Sequence, residues 1–300
     1  MLDTPQLDKR MTVDDIVDQL SDGMTIGIGG WATRRKPMAL VRAIARSSLK
    51  DLTLVAGYGG PDIGVLAAAG KIRRLVFAFA SLDHYPLEPH FRNQRQAGAF
   101  EVLELDEGMF HWGLRAGAMK LPFLPTRVGI GTDILTQSGA DFRMVKSPYD
   151  DGEELVAMPA ITPDVALIHA HRSDVRGNIL TLSFDPFFDE LLVRASAKAY
   201  VSVEKIVSTA ELDMRANGRY NLVERAMITG VAEVPYGAHP TSASPDYELD
   251  LKHIKTYVDS AASPEAWADY KGRFVDVDQD RYVAAVGGGE AIGALPAAIY

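Results

Sequence analysis

An α/β fold with an open, mainly parallel sheet and flanking helices is what the sequence predicts, on three observations. Apolar β-runs alternate with segments of helical period, glycine turns follow the early β-runs, and the helices between β-runs imply crossover connections. Met11, Val13, Ile16, Val17 and Leu20 recur at helical spacing and Gly23 stops them, so a helix precedes a strand over 24–28. Gly27-Ile28-Gly29-Gly30 then turns the chain, and Pro37 stands near the first turn of a helix over 38–45. A second strand is expected at 52–56, a glycine turn at 57–64, a short helix at 65–69 and a third strand at 75–80. A helix over 89–97, a strand over 100–105 and a helix over 109–118 continue the alternation.

Past Ile130, Ser147-Pro148-Tyr149 and the acidic run Asp150, Asp151, Glu153 and Glu154 read as a solvated hairpin or excursion and not as a domain linker. Strong β-runs at 165–170 and 200–207 are separated by a segment, 184–199, that contains another helix, so one continuous sheet is the simpler organisation. The chain is read as a single domain over 1–286. A polar helical extension starts near residue 251, and a glycine- and alanine-rich tail over 287–300 is expected to be poorly ordered.

Composition excludes several functions. With 31 Lys+Arg against 40 Asp+Glu the net charge is −9, which provides no electrostatic footprint for nucleic acid or an anionic bilayer. No cysteine is present, so any nucleophile or base is a carboxylate, hydroxyl, amine or imidazole. The first ten residues lack the apolar stretch of a secretory signal, so a cytoplasmic location is expected. No apolar window approaches the roughly 20 residues that span a bilayer.

Four places carry candidate chemistry. Gly27 to Ala32 fits a loose G-x-G-x-x-A pattern between strand and helix, where backbone N–H groups receive an anion or simply make a tight turn. The acidic residue a dinucleotide site requires after the second strand is missing, which counts against a nucleotide cofactor. Arg34, Arg35 and Lys36 beside that turn suit a phosphate or carboxylate equally as well as a solvated basic cluster. Glu104, Asp106 and Glu107 form an acidic knot between a strand end and a helix start, where carboxylates either cap the helix or point into a cleft as a general base. His169 and His171 share one strand face, but no third ligand completes a metal set, so no metal is expected. His239, in a loop, is open to turn structure or ligand contact.

Taken in order, Gly27-Ile-Gly-Gly30, Glu104-Leu-Asp-Glu-Gly108, Leu114-Arg-Ala-Gly-Ala118, Leu121-Pro-Phe-Leu-Pro125 and Asp164-Val-Ala-Leu-Ile168 resemble the α subunits of family I CoA-transferases. Val234-Pro-Tyr-Gly-Ala-His-Pro-Thr241 followed by Ser244-Pro-Asp-Tyr247 is similar to the glutaconate branch. The resemblance implies a CoA-transferase-like fold and an acyl-CoA substrate, with CoA as part of the substrate and no separate cofactor. It also implies a β subunit of the same family in an α2β2 heterotetramer, with the active site between the subunits. The turn at Gly29 and Gly30 would offer backbone donors to the thioester.

Two departures from the transferase pattern carry weight: Glu107 stands where relatives place a glutamine, and Arg127 adds a cation after Pro125-Thr126. With Trp31-Ala-Thr-Arg-Arg-Lys-Pro37, these resemble the ring-cleaving CoA hydrolases of steroid-degrading bacteria, in which a carboxylate of the α subunit is catalytic. That branch implies opening of the last steroid ring as a CoA thioester, with Glu107 as the first choice for the base and Glu104 as the second. Arg127, or Arg34 and Arg35, would orient a substrate carboxylate. The alternatives are a genuine CoA-transferase subunit, whose nucleophilic glutamate lies on β, and a non-catalytic acyl-CoA-binding subunit.

Overall fold

The computed structural model describes residues 8–137, 139, 141–149, 152–183 and 187–297. Asp150 and Asp151 of the acidic run, 184–186 and the last three residues of the tail lie outside the described residues.

The first half alternates as the sequence predicts: α1 (Val13–Val17), β1 (Thr25–Ile28), α2 (Met38–Arg46), β2 (Leu52–Val55), β3 (Tyr58–Gly59), α3 (Pro61–Ala68), β4 (Ile72–Phe77) and β5 (Phe79–Ala80). α3 begins four residues before the expected start, because Pro61 occupies its first turn, where a missing N–H costs nothing. The expected third strand divides into β4 and β5, and β5 pairs with β3 above the ends of β2 and β4. Next come α4 (Pro89–Gln96), β6 (Glu101–Glu104), α5 (Glu107–Ala118) and β7 (Phe123–Thr126). β8 (Arg143–Lys146) and β9 (Glu154–Pro159) form the hairpin around the acidic run and pair with β7 as a separate antiparallel sheet, in the order β7-β9-β8.

The chain returns to the main sheet through β10 (Val165–Ser173), β11 (Ile179–Leu180), α6 (Asp189–Ala195), β12 (Lys198–Ile206), α7 (Met214–Asn217) and β13 (Gly230–Glu233). The strand order is β13-β12-β10-β1-β2-β4-β6, all parallel, with β11 antiparallel on β10. The chain winds outward from β1 through β2, β4 and β6, then resumes on the other side at β10. The direction therefore reverses between β1 and β10, where open sheets of this kind leave a crevice at the carboxyl ends of the strands.

Period-two alternation sends neighbouring strand residues to opposite faces. Val165 and Leu167 join Ile26, Ile28, Leu54 and Phe77 under α2, α3 and α4. Ala166, Ile168 and Ala170 join Val55 and Val201 under α5 and α6. The C-terminal extension is α8 (Leu251–Asp259), α9 (Pro264–Phe274), α10 (Gln279–Ala285) and α11 (Gly289–Gly293), and the first three pack Tyr257, Tyr270 and Tyr282 onto the first of these faces. Within the tail read as poorly ordered, the chain forms the short helix α11. Ile292 of α11 is buried with Ala238, Ala243 and Tyr247, an anchor that glycine and alanine content does not reveal.

One buried group in this layer gives the fold a pH dependence. The Glu88 carboxylate accepts from Tyr257 O–H at 2.7 Å and from the Phe91 N–H, wholly inside the protein. Burial pushes its pKa up from 4.5 to about 7, with the Asp62 charge acting in the same direction. A folded value above the unfolded one gives stability that is complete below the unfolded pKa and is lost as pH rises through about 7. The urea midpoint is therefore expected to fall between about pH 4.5 and about pH 7 and to level off above it, and Glu88→Gln to flatten that fall. An equally steep dependence in the variant would remove Glu88 as its cause.

Candidate active site

The carboxyl ends of β1 and β2 carry an aromatic wall. Trp31, immediately after the glycine turn, stacks on Tyr58 with ring centroids 3.9 Å apart. Phe79, Phe110, His111 and Phe188 close around the same tyrosine at 5.3, 5.9, 5.7 and 5.1 Å. Gly57 is required here, since a Cβ at that position would lie 2.3 Å from the Phe110 ring.

α5 delivers the acidic knot to this wall, and the structure separates its three members. Glu104, the second choice for the base, is the last residue of β6 and turns to Arg95 at 2.7 Å in a half-exposed ion pair. Strand direction decides this, because Glu104 belongs to the edge strand and reaches sideways to α4. Asp106 is the N-cap of α5, its Oδ1 accepting from the Gly108 N–H at 2.7 Å. Glu107 occupies the first helical position and makes no hydrogen bond or ion pair with a described residue. Partial burial and the Asp106 charge raise its pKa above 4.5, although a helix N-terminus by itself favours the ionised form. Tyr58 feels the same pair: burial, then the charges of Glu107 and Asp106, push its phenol well above its ordinary value.

Sequence reading missed His111. It lies four residues after Glu107 on the same face of α5, half-buried, with its ring against Tyr58 and Phe188. Burial and the charge of Arg115 hold its pKa below 6.5. The signal was present as an i, i+4 pair of proton-handling residues at the start of a helix.

The glycine turn does not supply the donors expected of it. The Gly29 N–H is spent on the Leu167 carbonyl at 2.9 Å, and the Gly30 N–H on Asp189 Oδ1 at 2.9 Å. Gly30 adopts φ +75°, and a Cβ there would meet the Arg35 carbonyl at 2.6 Å, so its role is to close the turn.

The basic run beside the turn is likewise neither a phosphate cradle nor a solvated cluster, because each cation has its own carboxylate. Arg34 lies 3.7 Å from Asp83. Arg35, 1% exposed, pairs with Asp189 at 2.6 Å and also donates to the His169 carbonyl at 2.8 Å. Lys36 is wholly buried 3.1 Å from an equally buried Asp62. Arg35 is therefore a brace of the fold and not a substrate contact.

Arg127 follows β7, and its neighbour Val128 packs beside Gly108 at the start of α5. Its guanidinium is held by both carboxylate oxygens of Glu153, at 2.7 Å to Oε2, in an exposed pair, and not turned toward the wall. An arginine after an edge strand reaches the nearest carboxylate of the hairpin, which linear spacing does not show.

The remaining histidines belong to the interior. His169 bridges Ser202 and Glu204 at 2.8 and 2.7 Å, His171 bonds Ser244 and Leu182 backbone atoms, and His239 bonds Tyr282 and Asp250. All three are buried, so His239 belongs to turn packing and not to ligand contact. No group of three His, Cys, Asp or Glu able to hold a metal occurs among the described residues. None of their helices is long and apolar enough to cross a membrane.

Residues 10–218 match the family described as Coenzyme A transferase. The chain is 46% identical over 284 residues to the cholesterol ring-cleaving hydrolase IpdA subunit of Rhodococcus jostii (strain RHA1), across 93% of this chain and 96% of that protein. It is 43% identical to the protein of the same description from Mycobacterium tuberculosis (strain ATCC 25618 / H37Rv), across 93% and 97%. Among solved structures, glutaconate coenzyme A-transferase from Acidaminococcus fermentans matches with a TM-score of 0.89 at 26% identity, covering 95% of this chain and 94% of that one.

Proposed function

The chain belongs to the coenzyme A transferase family, and from that premise we propose that it is the α subunit of a heteromeric acyl-CoA hydrolase that opens a ring carbon–carbon bond of a steroid-derived CoA thioester. Glu107 is the general base. The observation that carries this reading is the sorting of the acidic knot. Glu104 is paired, Asp106 caps, and Glu107, exposed at the first turn of α5, alone of the three has no hydrogen-bond or ion-pair partner among the described residues, while its charge acts on Tyr58. Support for the substrate class comes from the relatives above 40% identity, whose description is a cholesterol ring-cleaving hydrolase subunit. The partner is a second subunit of the same family in an α2β2 assembly in the cytoplasm. CoA enters as part of the substrate, with no separate cofactor.

In this reaction Glu107 takes a proton from water, and the water oxygen bonds to a ring carbonyl carbon. The adjacent ring carbon–carbon bond then breaks, and its electron pair is held as an enolate on the neighbouring carbonyl. Protonated Glu107 returns its proton to that carbon. The product carries a new carboxyl group, which releases its remaining proton to solvent to become a carboxylate, and a new C–H bond, and the thioester is retained.

Hydrolase and transferase readings are separated by trapping. A transferase passes through a covalent thioester between CoA and a glutamate of the partner, which borohydride or hydroxylamine captures. The assembled enzyme, incubated with acyl-CoA and either reagent, is expected to remain unmodified. CoA trapped on the partner would overturn the hydrolase reading.

The raised pKa of Glu107 also sets a pH profile. A general base works only when deprotonated, so kcat is expected to fall on the acid side as pH drops through a value above 4.5. Rate measurements across pH that place this limb at or below 4.5 would exclude Glu107 as its origin.

A further inference from the structure

We propose that His111 is a second catalytic residue, a neutral imidazole that donates a hydrogen bond to the substrate oxygen on which negative charge gathers when Glu107 acts. The inference rests on the reading of Glu107 as the base and adds the group that stabilises the charge this base creates.

Three observations lead to it. First, the site needs a donor and the expected one is spent, since the Gly29 and Gly30 amides both end on internal acceptors. An unassisted oxyanion or enolate in such a crevice is costly, and a single well-placed donor contributes about 10²–10³ in kcat.

Second, the chain's other buried imidazoles are already committed. His90 bonds Ser260 at 2.8 Å and His253 bonds Tyr270 at 2.9 Å, while His169, His171 and His239 bridge two partners each. His111 is half-buried, and its ring makes no hydrogen bond with a described residue.

Third, the placement fits. His111 follows Glu107 by one helical turn, so both side chains rise from the same face of α5, with Cβ atoms roughly 5–6 Å apart. The Tyr58 ring, 5.7 Å away, and the Phe188 ring, 6.3 Å away, form the wall that orients it.

The charge state suits a donor beside a carboxylate base. The titratable groups shown to act on or pack against the ring are Arg115 on its own helix and Tyr58 from the facing strand end, and Glu107 stands one helical turn before it. Burial and Arg115 disfavour the imidazolium. A neutral ring keeps its N–H for the substrate, whereas an imidazolium would form an ion pair with Glu107 and weaken the base. A carboxylate pushed up and an imidazole pushed down one turn apart on the same helix is the pairing by which a base and a neutral electrophile divide enolisation. No bond to His111 forms or breaks; its N–H proton stays on nitrogen.

The test uses the complex with its partner subunit, in wild-type form and as His111→Ala, His111→Gln and Glu107→Gln. Two readouts are taken: turnover of a ring-containing acyl-CoA, and the ultraviolet enolate band of bound acetoacetyl-CoA, which needs no ring cleavage. His111→Ala is expected to lower kcat by about 10²–10³ with KM within about threefold, and to weaken the enolate band at least about tenfold. His111→Gln, which keeps an N–H donor, is expected to recover at least about a tenth of the wild-type rate. An inactive Glu107→Gln together with a fully active His111→Ala that keeps its band overturns the inference and leaves the base in place. Full activity in Glu107→Gln overturns the function proposed above. A wild-type complex that binds acetoacetyl-CoA without an enolate band removes the need for a donor and also overturns the inference.

Discussion

Replacing Glu107 by Gln in the assembled enzyme is expected to lower turnover by about 10²–10⁴-fold, the range over which a positioned general base acts. The substitution keeps size and polarity and leaves the Asp106 cap intact, since Gly108 donates to Asp106 and not to residue 107. Assembly with the partner and affinity for a CoA ester are therefore expected to be retained, and the loss to appear in kcat. Steady-state rates with a binding measurement on the same preparation check this. Undiminished turnover would return the acidic knot to simple helix capping and favour a non-catalytic acyl-CoA-binding subunit. Glu104→Gln, by contrast, removes only a half-exposed pair with Arg95, worth about 0–1 kcal/mol, and is expected to leave kcat near the wild-type value.

The largest stability effect is expected at Asp189, whose two oxygens hold two buried donors. Oδ1 accepts the Gly30 N–H and Oδ2 pairs with Arg35, both groups lying in the interior. Asp189→Ala takes the carboxylate away from a buried guanidinium and leaves a backbone N–H without its acceptor. Breaking a buried pair from one side costs about 3–5 kcal/mol, a large share of the roughly 5–15 kcal/mol that holds a domain folded. Urea unfolding should show the midpoint falling with little change in slope. Arg35→Met combined with Asp189→Asn removes the buried cation together with the anion and keeps an acceptor for Gly30, so it is expected to recover part of the loss. A single-variant cost below about 1 kcal/mol would show that water reaches the pair and that the glycine turn does not depend on it.

These two residues illustrate how the sequence misled at the turn. Gly27 to Lys36 shows glycines and cations together, the usual signature of an anion site. The acids that neutralise the cations are Asp62, Asp83 and Asp189, scattered along the chain. No local pattern connects position 35 with position 189; parallel pairing of β1 with β10 brings them together. The same holds for Arg127, whose Glu153 partner arrives through the β7-β9-β8 sheet.

By itself, the sequence determined the alternating α/β architecture, the family resemblance and the position of the acidic knot at a strand-to-helix junction. Each of these is carried by local periodicity or by a run of adjacent residues, and short-range backbone sterics and amphipathicity fix such features without help from distant segments. Only the tertiary structure decided which carboxylates of the knot are paired or capping, which amides are spent, and that the His111 ring packs against Tyr58. Those outcomes depend on which distant donor or acceptor reaches each polar group first. A buried hydrogen-bonding group takes whatever partner the packing brings, so its role is settled by neighbours in space and not by neighbours in the chain.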